Sequence, residues 1–195
     1  MIGMMRRGRG LGLCAAVAVV GLSCVEPKND ADASDTETAP SDSDEATDEG
    51  ATSDGEPVGM EGMIAAHNAV RTGVGVPDLI WDDALAEIAA EWAASLAADG
   101  CYLEHDYSSP YGENLYWSSF ESNPTQVVDA WASEVAYYDY ASNSCDRGEM
   151  CGHYTQLVWS TTERVGCAMV VCADDSEIWM CDYDPPGNWV GEKPY

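Results

Sequence analysis

Few side chains in this sequence can do chemistry. There are three histidines, His67, His105 and His153, and eight cysteines among 195 residues. The densest combination is CGHYTQLVW at 151–159, which joins a cysteine and a histidine to a run of aromatic and helix-compatible residues. An imidazole can ligate a divalent metal or carry a proton, and a free thiolate can act as a nucleophile. The common hydrolytic frames are missing, since neither HExxH nor GxSxG occurs in the chain. No CxxC pair occurs either, which speaks against a zinc–thiolate site.

Four further segments stand at compatible spacing: HNAVR at 67–71, YGENLY at 111–116, AWASE at 130–134, and a tail that reads GCAMVVC from Gly166 and then CDYDPPGNWVGEKPY to Tyr195. With CGHY they resemble the CAP superfamily of cysteine-rich secretory proteins, antigen 5 and pathogenesis-related 1 proteins, and most closely its plant pathogenesis-related class 1 branch. The resemblance covers about 60–195. It implies a scaffold more than an activity, because one fold can carry unrelated functions.

The resemblance implies a cleft lined by two histidines and two glutamates. They fall on His105 in LEH, Glu113 in GEN, Glu134 in WASE and His153 in CGHY. Two imidazoles that converge can hold Zn2+ or another divalent ion with positions left open for water or a carboxylate, and Glu113 or Glu134 can then act as a base or orient a histidine. The bland alternative is a satisfied hydrogen-bonding pair that organises loops. His67 matches a scaffold motif together with Asn68 and Arg71, and is expected to be structural. Trp81, Trp92, Trp131 and Trp159 are read as packing residues.

Members of the family have been linked to sterols and fatty acids through an aromatic segment before CGHY. Tyr137, Tyr138 and Tyr140 occupy that segment here, and amphipathic tyrosines suit an apolar ligand with one polar end. The alternative is that these rings only cover the core. The last eleven residues, PPGNWVGEKPY, look like a C-terminal peptide that plant relatives release, although CDYD at 181–184 carries Asp182 where the family has asparagine. Three classes follow: a lipid- or partner-binding module, a metal-dependent hydrolase or protease, and a precursor of a signalling peptide. The first leads, because catalysis has little independent support in the residues. A monomer is expected.

Composition points to export. Residues 1–23 run from Arg6, Arg7 and Arg9 through an apolar stretch to small residues, the layout of a secretory signal peptide. Gly21, Leu22 and Ser23 before Cys24 resemble a lipobox, which would leave an acylated Cys24 as a membrane anchor; free secretion is the alternative. Residues 24–57 are rich in Asp, Glu, Ser and Thr, cannot bury enough surface to offset ordering entropy, and read as a disordered acidic linker. No later stretch is long and apolar enough to span a bilayer. The formal net charge of −27 excludes nucleic acid as a partner.

With Cys14 in the signal peptide and Cys24 acylated, six cysteines remain. In an exported domain they read as three disulfides, with 15 possible pairings. The resemblance selects Cys101–Cys172, Cys145–Cys151 and Cys167–Cys181, which leaves no thiol as a nucleophile.

The elements that must position these residues follow from periodicity. Met63, Ile64, Ala66 and Val70 mark a helix over Met60 to Thr72 that ends at Gly73. Asp82 or Asp83 caps a second helix, with Leu85, Ile88, Ala89, Trp92 and Leu96 on one face before Gly100. Pro124 and Thr125 start a third, with Val127, Val128, Trp131 and Val135 on one side, and Tyr154 to Ser160 form a fourth. Asn114 to Ser118, Gly166 to Cys172 and Ile178 to Tyr183 read as strands, the last two joined by a hairpin loop over Ala173–Ser176. The expected fold is α+β: a three-layer α–β–α sandwich with a small antiparallel sheet and three disulfides, spanning 58–195.

Overall fold

A computed structural model describes residues 55–195 of the chain. The signal peptide, Cys24 and nearly all of the acidic linker lie outside the described residues. No helix among the described residues is long and apolar enough to cross a membrane.

The expected sandwich is present, built around a four-stranded sheet ordered β1-β5-β6-β2. The strands are β1 (Ile80–Trp81), β2 (Gly112–Ser118), β5 (Arg164–Val171) and β6 (Glu177–Asp184), with a separate hairpin of β3 (Tyr138–Asp139) and β4 (Ser144–Cys145). The β2–β6 and β5–β6 pairs are antiparallel, whereas β1 runs parallel to the start of β5. That two-residue strand was not expected, because it is too short to show a period. Residues 177–183 of β6 are all buried, as a strand covered on both faces must be.

Four α-helices flank the sheet: α1 (Met63–Val74), α2 (Asp83–Ala98), α3 (Pro124–Ala132) and α4 (Gly152–Leu157). Side chains that alternate along the strands split the core in two. Val165, Cys167, Trp179, Cys181 and Tyr183 pack with Met63, Val127, Trp131, Tyr154 and Leu157 of α1, α3 and α4. Ala168, Ile178, Met180 and Leu115 pack on the other face with Ala89 and Leu96 of α2. Full burial of such side chains contributes roughly 1.5–3 kcal/mol each.

The caps explain the boundaries. Asp82 Oδ1 accepts from Ala84 N at 3.0 Å and Leu85 N at 3.1 Å, which starts α2. Asn123 and Gln126 form a reciprocal capping box on α3, each side chain bonding the other's backbone N–H at 3.1 Å. Helix α1 passes the expected stop at Gly73 and ends at Gly75, whose φ of 79° supplies the left-handed turn. Its other end is capped from a distance. Glu56 was read as linker, yet it is only 2% exposed and its carboxylate accepts from Gly62 N at 2.9 Å and Ile64 N at 2.5 Å. The ordered fold therefore includes Glu56.

Val135 departs from the expected helical face. Helix α3 gives way at Ser133 to a tighter 3-10 turn, Ser133–Tyr137, which leaves Val135 49% exposed. Gly166 sets the distance between α2 and the sheet: a Cβ there would lie 2.2 Å from Ala86 N and 2.5 Å from Asp82 O. The disulfides join Cys101–Cys172, Cys145–Cys151 and Cys167–Cys181, the pairing that the resemblance implies.

Candidate functional site

The site forms where edge strand β2 begins. Glu113 is the second residue of β2 and alternates with Leu115 onto the α2 face, while Asn114 between them turns to the opposite layer. Across the strand end, His153 is the second residue of α4, and Glu134 lies in the 3-10 turn after α3. His105, in the loop after α2, completes the set. His105, Glu113, Asn114 and His153 line one cavity of about 260 Å³.

Each histidine is held by its own glutamate. His105 Nδ1–H donates to Glu113 Oε1, and Asp106 N–H donates to Glu113 Oε2 at 3.2 Å. His153 Nδ1–H donates to Glu134 Oε1 at 2.6 Å. The second oxygen of Glu134 accepts from the backbone N–H of His153 at 2.9 Å and of Tyr154 at 3.2 Å, so it also satisfies the first turn of α4. The bond to Glu113 raises the His105 pKa. Burial pushes the Glu134 carboxyl up, but His153 and the two amides outweigh that and hold it below its usual value. With Nδ1 of each ring committed, Nε2 is the nitrogen left for a ligand, the arrangement by which carboxylates orient metal-binding histidines. Two imidazole nitrogens bordering one cavity are donors of the type that divalent ions take.

His67 has the expected structural role. It is fully buried, and Met63 O can only accept, so Nδ1 carries the proton and donates to it at 2.8 Å. Tyr183 O–H then donates to His67 Nε2 at 2.9 Å, and Asn114 Nδ2 donates to Tyr183 O at 3.2 Å and to His153 O at 3.1 Å. Burial pushes the His67 pKa down to about 4, so this chain is built on a neutral ring. It ties α1 through β6 and β2 to the backbone of His153. Arg71 anchors the same layer by donating to the carbonyls of Pro77, Leu157, Trp159 and Thr162.

Two residues carry more than their sequence signal suggested. Asn114 Oδ1 is buried in the cleft wall without a partner among the described residues. Asp182 faces Glu113 across the β2–β6 ladder and Gly166 across β5–β6, is fully buried, and has no partner on either carboxylate oxygen. Burial, then the charges of Glu113 and Asp106, push its pKa up to about 7. The only sign in the sequence was the aspartate in CDYD.

The tyrosines sit on the α1–α3–α4 side, beside the cleft, with Cys151, Gly152 and Asn188 lining both hollows. Tyr138 lines a hollow of about 340 Å³ between the β3–β4 hairpin and the C-terminal tail, together with Thr155, Trp159, Asn188 and Trp189. Tyr140 is engaged by the tail: its ring stacks on Tyr195 with centroids 4.7 Å apart, and its hydroxyl donates to Tyr195 O. Tyr137 is 41% exposed. The tail itself is pinned by Thr162 Oγ1 to Pro185 O at 2.9 Å, Gly187 N to Gln156 Oε1 at 3.0 Å and Ser160 N to Pro194 O at 2.7 Å.

One group of three metal-type donor atoms close to one another occurs among the described residues, and it lies outside the cleft. Cys101, Cys172 and Asp174 place donor atoms within 4.8 Å of one another, but both sulfurs are spent in a disulfide, which leaves a single carboxylate.

The family model for the cysteine-rich secretory protein family matches residues 64–183. Pathogenesis-related protein PR-1 of Medicago truncatula is 52% identical over 135 residues, which is 68% of this chain and 77% of the relative. Among solved structures, Schistosoma mansoni venom allergen-like protein 4 superposes with a TM-score of 0.58 at 25% identity, covering 71% of this chain and 94% of that one. The crystal structure of NaASP2 with Zn2+ superposes with a TM-score of 0.60 at 22% identity, covering 76% and 88%, and shows the shared fold. The family match across the sandwich, together with half identity to a plant relative, shows that the chain belongs to the cysteine-rich secretory protein (CAP) family, on its pathogenesis-related 1 side.

Proposed function

We propose that this is an extracellular binding module: the histidine cleft takes a divalent cation on His105 and His153, and the hollow at Tyr138 takes a lipid such as a sterol or fatty acid. The observation that carries a binding reading is the commitment of both glutamates. Each oxygen of Glu113 and Glu134 already accepts a hydrogen bond, so both carboxylates are used to orient the histidine rings and their backbone, as suits a binding site. Three disulfides and the secretory family suit an oxidising, extracellular compartment. Anchoring through Cys24 would hold the module at a membrane.

The lipid reading draws on the family resemblance and on Tyr138, whose hydroxyl donates to Asn143 Oδ1 at 2.7 Å at the wall of the hollow. A ligand with an apolar body and one polar end matches a wall of aromatic rings and asparagines. The contacts of the tail support its role as a wall of this hollow in preference to a releasable peptide. The test is extraction of lipid from protein secreted by an exporting host, followed by reloading with ergosterol or palmitate. A stoichiometric ligand that is lost in Tyr138→Ala supports the reading. Failure of both probes to bind the folded protein overturns it.

A further inference from the structure

A second hollow, which shares no lining residue with the histidine cleft or the tyrosine hollow, lies at the far end of α2. It measures about 470 Å³ and is lined by Gly100, Cys101, Tyr102, Leu103, Trp117 and Asp174. Its wall is fixed by how α2 stops. Gly100 and Cys101 both take left-handed backbone conformations, with φ of 96° and 64°, and Cys101 N–H closes the helix onto Leu96 O at 2.8 Å. A β-carbon on Gly100 would meet the Tyr102 ring at 3.0 Å, so that ring lies against bare glycine backbone. The Cys101–Cys172 disulfide ties this loop to the β5–β6 turn that carries Asp174.

The lining has an unusual balance. Tyr102 is 75% exposed, Leu103 46% and Trp117 44%, so three large apolar side chains face solvent around one carboxylate. Asp174 Oδ1 accepts from Ser176 Oγ at 2.6 Å and Ser176 N at 3.2 Å, bonds that hold the carboxyl below its usual pKa and leave Oδ2 without a donor among the described residues. Among the described residues, no basic side chain offsets that charge in the hollow. After residue 56 the chain has only Arg71, Arg147, Arg164 and Lys193. Arg71 is buried against backbone carbonyls, Arg164 pairs with Asp82 and Asp184, Lys193 sits 4.3 Å from the Tyr140 ring centre, and Arg147 is not among the lining residues.

We propose that this hollow binds a quaternary ammonium group, free or as a choline-type lipid headgroup. Aromatic faces attract a cation through the ring quadrupole, and the attraction is strongest for tryptophan. A primary ammonium brings three N–H donors, and the hollow offers one free carboxylate oxygen. A trimethylated ammonium has no donor to satisfy: its methyls pack on Leu103 and the rings, and its charge faces Asp174. Anionic ligands are repelled by the same carboxylate and by the acidic domain. The loop arrives already shaped by its disulfide and its left-handed turn, so little freedom is lost on binding. This site does not depend on the tyrosine hollow, and either can fail without the other.

The test is calorimetric titration of the mature exported protein with choline and with 3,3-dimethylbutan-1-ol, its uncharged carbon analogue. Choline is expected to bind at least about tenfold more tightly than the analogue, and to lose at least about tenfold in Trp117→Ala and in Asp174→Asn, which keeps the Oδ1 acceptor of the turn. Trp117→Phe should retain most of the affinity. Equal binding of the two probes, no saturable choline binding, or choline affinity unchanged in both loss variants would each overturn the proposal. Sedimentation with phosphatidylcholine and phosphatidylethanolamine vesicles separates the sources: capture by the first alone, lost in Trp117→Ala, assigns the headgroup, and choline binding without capture assigns the free ligand.

Discussion

Replacing Asp182 with asparagine probes the most costly group in the sheet. The carboxyl is fully buried with neither oxygen bonded, and its pKa rises from 3.8 to about 7. An acid whose folded pKa is raised stabilises the fold while protonated; that stability is complete below about 4 and is lost as pH rises through about 7. A rise of about three pKa units at about 1.4 kcal/mol each puts the loss at about 4 kcal/mol above pH 8. His67 works in the opposite direction over nearly the same window. Its pKa falls from 6.5 to about 4, so its stabilisation is present above 6.5 and lost as pH falls toward 4. The two slopes nearly cancel in the parent protein between pH 4 and 6.5. Asp182→Asn removes one of them. Its stability should therefore climb from pH 4 to 6.5 and stay high, whereas the parent should decline between pH 6.5 and 8. At pH 8 the variant should melt higher by a margin on the order of 10 °C. Urea and thermal denaturation across pH 4–8 give the difference curve. A difference that does not change with pH, or a variant that is no more stable at pH 8, would refute the buried-acid account.

Gly166→Ala should destabilise the domain by about 3 kcal/mol or more, because its Cβ would lie 2.2 Å from Ala86 backbone nitrogen; denaturant midpoints measure this, and a shift under about 0.5 kcal/mol would show that α2 can move away. His67→Leu leaves the buried Tyr183 O–H without its acceptor and removes the side-chain donor to the Met63 carbonyl, and should cost about 2–3 kcal/mol in the same assay. Glu134→Ala frees His153 Nδ1 and two backbone donors; zinc affinity, followed by calorimetry, should fall about 10–100-fold, with the melting temperature lowered by only a few degrees.

The fold was legible where periodicity or caps wrote it locally. Leu85, Ala89 and Leu96 mark the buried face of α2, and Asp82 announces its start. Strand β1 and the β3–β4 hairpin were not legible, because two-residue strands have no period and are held by partners distant in sequence. Val135 continued the apolar pattern of α3, but the backbone had already tightened at Ser133 to aim Glu134 at the α4 terminus. Glu56 looked like more acidic linker, and only the folded position of α1 reveals it as a cap. At the site, the four residues were legible through motif resemblance alone. Nothing local predicts that Glu113 and His105 approach from one side of β2 while Glu134 and His153 approach from the other. The relay from His67 through Tyr183 to Asn114 spans three elements, with its longest step 116 residues apart in sequence.

The central claim is that His105 and His153, each oriented by its own glutamate, form one cation site. Native mass spectrometry of the mature exported protein, before and after zinc addition and again with His105→Ala/His153→Ala, tests it most directly. One zinc per chain at low micromolar concentration, retained by the parent and lost from a double variant that still folds, is the predicted result. Zinc bound equally by parent and variant, or by neither, would contradict the account and leave the two histidine–glutamate pairs as hydrogen bonds that only shape the edge of the sheet.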